Sequence, residues 1–106
     1  MGLISVAVFA PKPGQEAELL RVIADRIPLL LRHDLVTTRP PILMRSSCGA
    51  IIQISEWAGE QAVTKAHQTS EVLALWARFE ACSTFVSLDS LEEAQRPFGS
   101  FESIDC

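Results

Sequence analysis

The stretch AIIQISEWAGEQAVTKAHQTSEVLALW, residues 50–76, has the clearest secondary-structure pattern of the chain. It begins as a strand whose side chains alternate between two faces. The two sets are Ile52, Ile54 and Glu56 on one face, and Ile51, Gln53, Ser55 and Trp57 on the other. Residues 59–69 then predict a short helix, and Ser70 can cap a second one. The apolar stripe of this second helix consists of Val72, Leu75, Trp76, Phe79 and Cys82. A strand that leads into two helices predicts helices packed on one face of a sheet.

The sequence before this stretch predicts a strand, a helix and an edge strand. Residues 3–10 are apolar at both parities, so both faces of that strand need cover. Residues 15–33 have helical spacing, and Pro28 is expected to kink or restart this helix near Arg26. Two successive prolines, Pro40 and Pro41, confine the next strand to residues 42–45 and place it at a sheet edge. This strand forms a hairpin with residues 50–57.

The sequence after this stretch predicts a last strand and a tail that needs cover. Residues 85–88 are the strand, and a capping-box pattern from Ser90 to Glu93 predicts one helical turn. The tail, residues 97–106, carries the apolar residues Phe98, Phe101 and Ile104. Such a tail is too apolar for a free end, so we expect it to dock on the dimer described below, on the partner subunit.

The element order βαββαβ predicts the fold class. It is typical of an α+β, ferredoxin-like antiparallel sheet with helices on one face. The 106 residues suit a single domain over 1–106. Because residues 3–9 and 50–55 stay apolar on the face that the helices cannot cover, we expect a second copy to cover it. The prediction is a homodimer with sheets packed face to face, a homodimeric α+β barrel.

Composition limits the classes of partner. The formal net charge is −4 and the cationic residues are scattered, which argues against nucleic acid. No apolar run reaches the roughly 20 residues that span a bilayer, so we expect no membrane contact and a cytoplasmic location. The cysteines Cys48, Cys82 and Cys106 are odd in number and far apart, and the chain has two histidines. We therefore expect reduced thiols and no metal site.

Glu56 and Trp57 at a strand end, followed one helix later by His67, resemble the antibiotic-biosynthesis-monooxygenase-like family of dimeric α+β barrel proteins. The resemblance implies the same closed dimer and a pocket between sheet and helices that His67 faces. Heme-degrading members of that family use an Asn, Trp and His set, and this chain has no asparagine. Cofactor-free quinone-forming members use Asn, Trp and Tyr, and tyrosine is absent too. The resemblance thus leaves a variant mechanism, with no heme and no other cofactor.

Three residues are candidates for catalysis. His67 lies one turn after Val63, so its ring is expected in apolar surroundings, where it is either a general base or a core histidine bound to a carbonyl or to Glu56. Glu56 either orients His67 or forms an ion pair with an arginine. Arg45 either pairs with Glu56 across the hairpin or stabilises an oxyanion.

Five further residues are candidates for binding a flat ligand. They are Phe9, Met44, Trp57, Trp76 and Phe79. Aromatic residues at helical spacing equally fit an ordinary core. Two functions therefore stay open. One is a cofactor-independent monooxygenase or isomerase acting on a small apolar phenol, quinol or enol, and the other is a non-catalytic ligand-binding or structural homodimer. A cavity of roughly 300 Å³ or more against His67 would favour the first.

Overall fold

The order of strands and helices follows the sequence pattern, with one strand added at the end. The computed structural model describes residues 2–105, which form an α+β domain with a five-stranded antiparallel sheet and three helices. The strands are β1 (Leu3–Pro11), β2 (Ile42–Arg45), β3 (Ile51–Trp57), β4 (Ser83–Phe85) and β5 (Glu102–Ser103). The helices are α1 (Glu16–Arg32), α2 (Glu60–Ala66) and α3 (Ser70–Cys82). Cys106, one of the three cysteines, lies outside the described residues.

The sheet has the strand order β4-β1-β3-β2-β5. Strand β3 is central, with Phe9 of β1 opposite Ile51 and Leu3 opposite Trp57. The predicted boundaries of β2 are confirmed, but its predicted edge position is wrong because β5 pairs with it. Pro40 and Pro41 do not interrupt this pairing, because β5 pairs only with Met44 and Arg45.

Helices α1 and α3 pack on one face of the sheet and bury the main core. The largest sealed side chains of this core are Phe79, Leu19, Leu30, Leu35 and Ile51. Helix α1 continues through Pro28 without the predicted restart. Pro28 is exposed, and buried residues before and after it, Ile23 and Leu29, hold the helix against the core. Packing of the apolar stripe outweighs the one backbone hydrogen bond that proline removes.

The second face of the sheet is covered at one end by the C-terminal part of the same chain. Val8 and Ile52 pack there against Leu91 and Phe101. At the other end Ile4 is 57% exposed, and Val6 and Ile42 are exposed beside it. The apolar face that the sequence predicts is therefore covered at one end by the same chain, and its other end is left exposed by residues 2–105.

The last strand and the tail differ from the sequence prediction. Strand β4 begins at Ser83, directly after α3, and the predicted strand end at Leu88 is instead the start of a 3-10 turn, Leu88–Ser90. Ser83 Oγ donates to the Phe79 carbonyl at 2.7 Å, which lets the chain leave the helix straight into the sheet. A second 3-10 turn follows at Glu92–Gln95, without the predicted side-chain cap.

The tail contacts the rest of its own chain through β5, which pairs with β2. Phe101 and Ile104 pack on the two cores, whereas Phe98 is 95% exposed. Docking of the tail on a partner subunit stays a prediction. None of the helices within residues 2–105 is long and apolar enough to cross a membrane.

Candidate functional site

An open cleft of about 420 Å³ lies at the free edge of β1, between the sheet and the helices. Strand β4 pairs with β1 over residues 9–11, and the Val86 N–H donates to the Val8 carbonyl at 3.2 Å. Among residues 2–105, no strand pairs with residues 3–7 on that side. The cleft is lined by Val6, Ala7, Val8, Phe9, Arg26, His67, Trp76, Phe79, Phe85 and Val86. It therefore brings together residues of β1, α1, α3 and β4 with the residue that ends α2.

Aromatic rings form the inner wall of the cleft. Phe9 and Phe79 stack at 4.4 Å between ring centroids, with their planes 9° apart. Phe85 meets Phe9 edge-on at 5.7 Å and is half exposed. A flat apolar ligand could lie against this wall, which includes Phe9, Trp76 and Phe79 of the predicted ligand-binding set.

His67 lies at the mouth of the cleft. Its Nδ1 is 2.9 Å from the carbonyl oxygen of Val63, one helical turn earlier. Because a carbonyl oxygen only accepts, Nδ1 carries the proton in this contact and Nε2 is the nitrogen free to accept one. The ring meets Trp76 edge-on at 4.9 Å. His67 is exposed, contrary to the buried position expected from the sequence, because Ala66 takes the buried position at the end of α2.

Arg26 is the charged residue of the cleft that the sequence interpretation missed. Its side chain is only 5% exposed, in the middle of the buried stripe of α1. Nη1 donates to Gln53 Oε1 at 2.8 Å and to Ser55 Oγ at 3.4 Å, and the guanidinium carbon lies 5.9 Å from the centre of the Trp57 ring. Burial lowers the pKa of Arg26 to about 10, so it still carries its charge at neutral pH.

Two signals in the sequence could have revealed Arg26. The residue falls at helical spacing with Val22 and Leu29, so it belongs to the apolar stripe of α1. Gln53 and Ser55 share the face of β3 that carries Trp57, and they are the polar residues of that face. A buried arginine and buried polar residues on facing elements predict a hydrogen-bonded group between helix and sheet.

Glu56 lies away from the cleft. It stands opposite Ile4 on the second face of the sheet. It accepts hydrogen bonds from Thr37 Oγ1 at 2.7 Å and from Arg39 Nε at 3.2 Å. The Thr37 hydroxyl first, and then Arg39, lower the pKa of Glu56. The expected contact between Glu56 and His67 is therefore absent, and the alternative of an ion pair with an arginine is what the structure shows.

Arg45 lies at the other end of the hairpin. Its position in the ladder is opposite Ile51, not Glu56, so the predicted Arg45–Glu56 pair is wrong. Arg45 instead binds two carboxylates, Glu16 at the start of α1 and Glu102 of β5. It ties the tail and α1 to the sheet and does not line the cleft.

The remaining two predicted ligand-binding residues also lie outside the cleft. Met44 packs on the second face of the sheet, in the cluster around Ile52. Trp57 is buried, does not line the cleft, and has its ring centre 5.9 Å from the Arg26 guanidinium carbon. Within residues 2–105, no three His, Cys, Asp or Glu side chains are placed to hold a metal ion.

Comparisons of the chain with protein-family models, curated proteins and solved structures find no match. The resemblance to the antibiotic-biosynthesis-monooxygenase-like family accordingly stays a prediction. The site must be judged by its own geometry. Two further hollows border α1, one against α3 and one against the tail. Of the three hollows, the cleft at His67 is the one that combines aromatic walls with a basic nitrogen and a buried cation.

Proposed function

We propose that the cleft binds a small, flat, apolar phenol, quinol or enol and that His67 removes a proton from it. The observation that carries this proposal is the cleft of about 420 Å³ against His67, which exceeds the roughly 300 Å³ of small-ligand pockets. The hydrogen bond from Nδ1 to Val63 presents Nε2 as the basic atom. The aromatic wall supplies the surface for the ring of the ligand.

Two reactions can follow removal of the proton, an isomerisation and a reaction with oxygen, and neither needs a cofactor. After Nε2 accepts the proton, the substrate anion can take it back at another carbon, which is an isomerisation with no net change of atoms. Alternatively the anion reacts with molecular oxygen. A ring CH₂ group and O₂ then give a carbonyl and one water, so one oxygen atom enters the product. The second is a cofactor-independent monooxygenase reaction, an oxidoreductase activity.

A second candidate function is ligand binding without catalysis. The bond from His67 to Val63 stays within one turn of the chain, and it is also what a histidine that only closes a helix makes. Within residues 2–105, the structure gives His67 no carboxylate partner that would strengthen it as a base. A ligand-binding dimer would use the same cleft, and a purely structural dimer would bind no ligand there.

The proposal includes the assembly. The order β4-β1-β3-β2 is the one expected of a ferredoxin-like sheet, and β5 is added at its β2 edge. Ile4, Val6 and Ile42 form an open apolar patch, the exposed end of the second face, and a second copy of the chain would cover it. The exposed thiol of Cys48 suits the reducing cytoplasm.

The test is to replace His67 by Gln and by Ala and to assay a panel of quinols, phenols and enols. We expect turnover to fall by roughly a hundredfold or more while the melting temperature changes little. Gln68→Ala, at the exposed neighbouring position, is the control and should keep full turnover. Binding of panel members without turnover in the wild type would favour the non-catalytic function, and equal turnover in His67→Gln would exclude His67 as the base.

A further inference from the structure

Arg26 is a buried cation whose protein partners are all neutral. Gln53, Ser55 and the Trp57 ring surround it. Within residues 2–105 it forms no ion pair with a carboxylate. Removing a guanidinium from water costs free energy that neutral hydrogen bonds offset only in part. The burial of Arg26 therefore has a cost that its own chain does not fully compensate.

The other arginines show that the chain supplies carboxylates elsewhere. Five of them pair with a carboxylate: Arg21, Arg32, Arg39, Arg45 and Arg78. All five are more exposed than Arg26, so less of their hydration is lost and an ion pair compensates a smaller cost. Arg26, the most deeply buried arginine, is thus one that has no carboxylate beside it among residues 2–105.

Arg26 lines the cleft and has guanidinium donors without a partner among residues 2–105. The hydrogen bonds of its side chain to residues 2–105 come from Nη1. No sealed side-chain nitrogen or oxygen of the described residues lacks a partner, so Nε and Nη2 are not fully sealed from solvent. Arg26 lines the cleft and neither of the two other hollows, so the cleft is where a ligand can approach its side chain. Two adjacent guanidinium N–H groups match the two oxygens of a carboxylate, or a single ionised oxygen.

We infer that the ligand of this cleft carries a negative charge, a carboxylate or an ionised enol or phenol oxygen, and that this group binds Arg26 while its flat part lies against Phe9 and Trp76. The inference rests on the proposed binding of a small ligand in the cleft, but not on proton removal by His67. It narrows the substrate class from any flat apolar molecule to one with an acidic group at one end. Arg26 would also stabilise the anion that forms when His67 takes a proton.

The experiment compares two probes of nearly equal shape, 2-naphthoate and the neutral 2-naphthamide, by calorimetry with the full chain. In the wild type we expect the anion to bind roughly ten- to a hundredfold more tightly than the amide, as a charge-assisted contact should give. In Arg26→Met this preference should fall to about threefold or less. Arg32→Met removes the same charge from the exposed side of the same helix, outside the cleft, and should keep the preference. If Arg26→Met does not fold, Arg26→Met combined with Gln53→Leu replaces it.

Three outcomes would overturn the inference. They are equal binding of the two probes in the wild type, a preference that survives the loss of Arg26, and no binding of either probe. Its failure is distinguishable from that of the proposed reaction. If 2-naphthoate binds through Arg26 and His67→Gln turns over the panel as fast as wild type, only the reaction fails. If neutral panel members are turned over equally well by Arg26→Met, only the charge inference fails.

Discussion

Arg26 and Glu93 are both buried charges, and neither forms an ion pair within residues 2–105, but their hydrogen bonding differs. Glu93, in the turn that follows α3 and β4, is 4% exposed. One of its carboxylate oxygens accepts from Ser46 Oγ at 2.8 Å and the other from the Ser47 backbone N–H at 2.7 Å. Arg26 has donors left over at the wall of an open cleft.

The pKa shifts of the two groups express this difference. The hydrogen bonds from the Ser47 backbone first, and then from its own backbone and Ser46, lower the pKa of Glu93 to about 2. Burial lowers the pKa of Arg26 to about 10. For an acid a lowered pKa means that the charged form is stabilised, whereas for a base it means that the charged form is destabilised. Each carboxylate oxygen of Glu93 thus has a hydrogen-bond donor, whereas the Arg26 guanidinium has donors without an acceptor among residues 2–105.

The largest effect is expected for Glu93→Gln. The new amide would place an NH₂ group against one of two donors, so either Ser46 or Ser47 loses its acceptor. We expect the melting temperature to fall by roughly 5 to 10 °C, measured by circular dichroism at pH 7. Glu92→Gln, the exposed neighbour, removes the same charge and should change the melting temperature by less than about 2 °C. Equal effects of the two variants would show that the hydrogen bonds from Glu93 to Ser46 and Ser47 do not stabilise the fold.

The effect of Glu93 should disappear in acid. Its pKa falls from 4.5 to about 2 on folding, so its carboxylate contributes stability above pH 4.5 that is lost as the pH falls toward 2. The difference in melting temperature between wild type and Glu93→Gln should therefore be constant from pH 7 to about 5.5 and shrink between pH 4.5 and 2.5. A difference that stays constant down to pH 2.5 would mean that folding does not lower the pKa of this carboxylate.

The fold was predictable where local signals mark the ends of elements. Strand β2 lies at the predicted residues because two prolines precede it and a Ser-Ser-Cys-Gly turn follows. Strand β4 was misplaced because the apolar run at residues 85–88 fits a strand by itself. Its real position depends on pairing with β1, where Ser83 is opposite Pro11. A local sequence pattern does not reveal pairing between residues that are far apart in the chain.

The site was predictable in its apolar part and not in its charges. Phe9, Trp76 and Phe79 lie at the cleft because apolar side chains of the strand and of the helix stripe pack against each other between sheet and helix. The partners of Glu56 and Arg45 depend on the register of the hairpin, and alternation along a strand does not fix a register by itself. The partners of Arg26 are far from it in the chain, so the sequence shows the buried position but not what it faces.

The smallest effect on stability is expected for the double replacement Arg26→Met and Gln53→Leu. Met fills most of the volume of the arginine chain, and Leu removes the buried amide that would otherwise lose its donor. Replacing an incompletely paired buried charge by apolar groups is commonly neutral or stabilising, so we expect a melting temperature about 0 to 5 °C above that of the wild type.

The matched pair for this test is Glu93→Leu with Ser46→Ala, which removes the carboxylate and its hydroxyl partner together. It should melt below the wild type, because the Ser47 backbone N–H stays in the turn without its acceptor. If the Arg26 double variant also melts more than about 5 °C below the wild type, Arg26 stabilises the fold as Glu93 does. Its burial would then be no argument for an anionic ligand. If it melts at or above the wild type, the buried guanidinium does not stabilise the fold, which is the result expected of a residue that serves to bind a ligand.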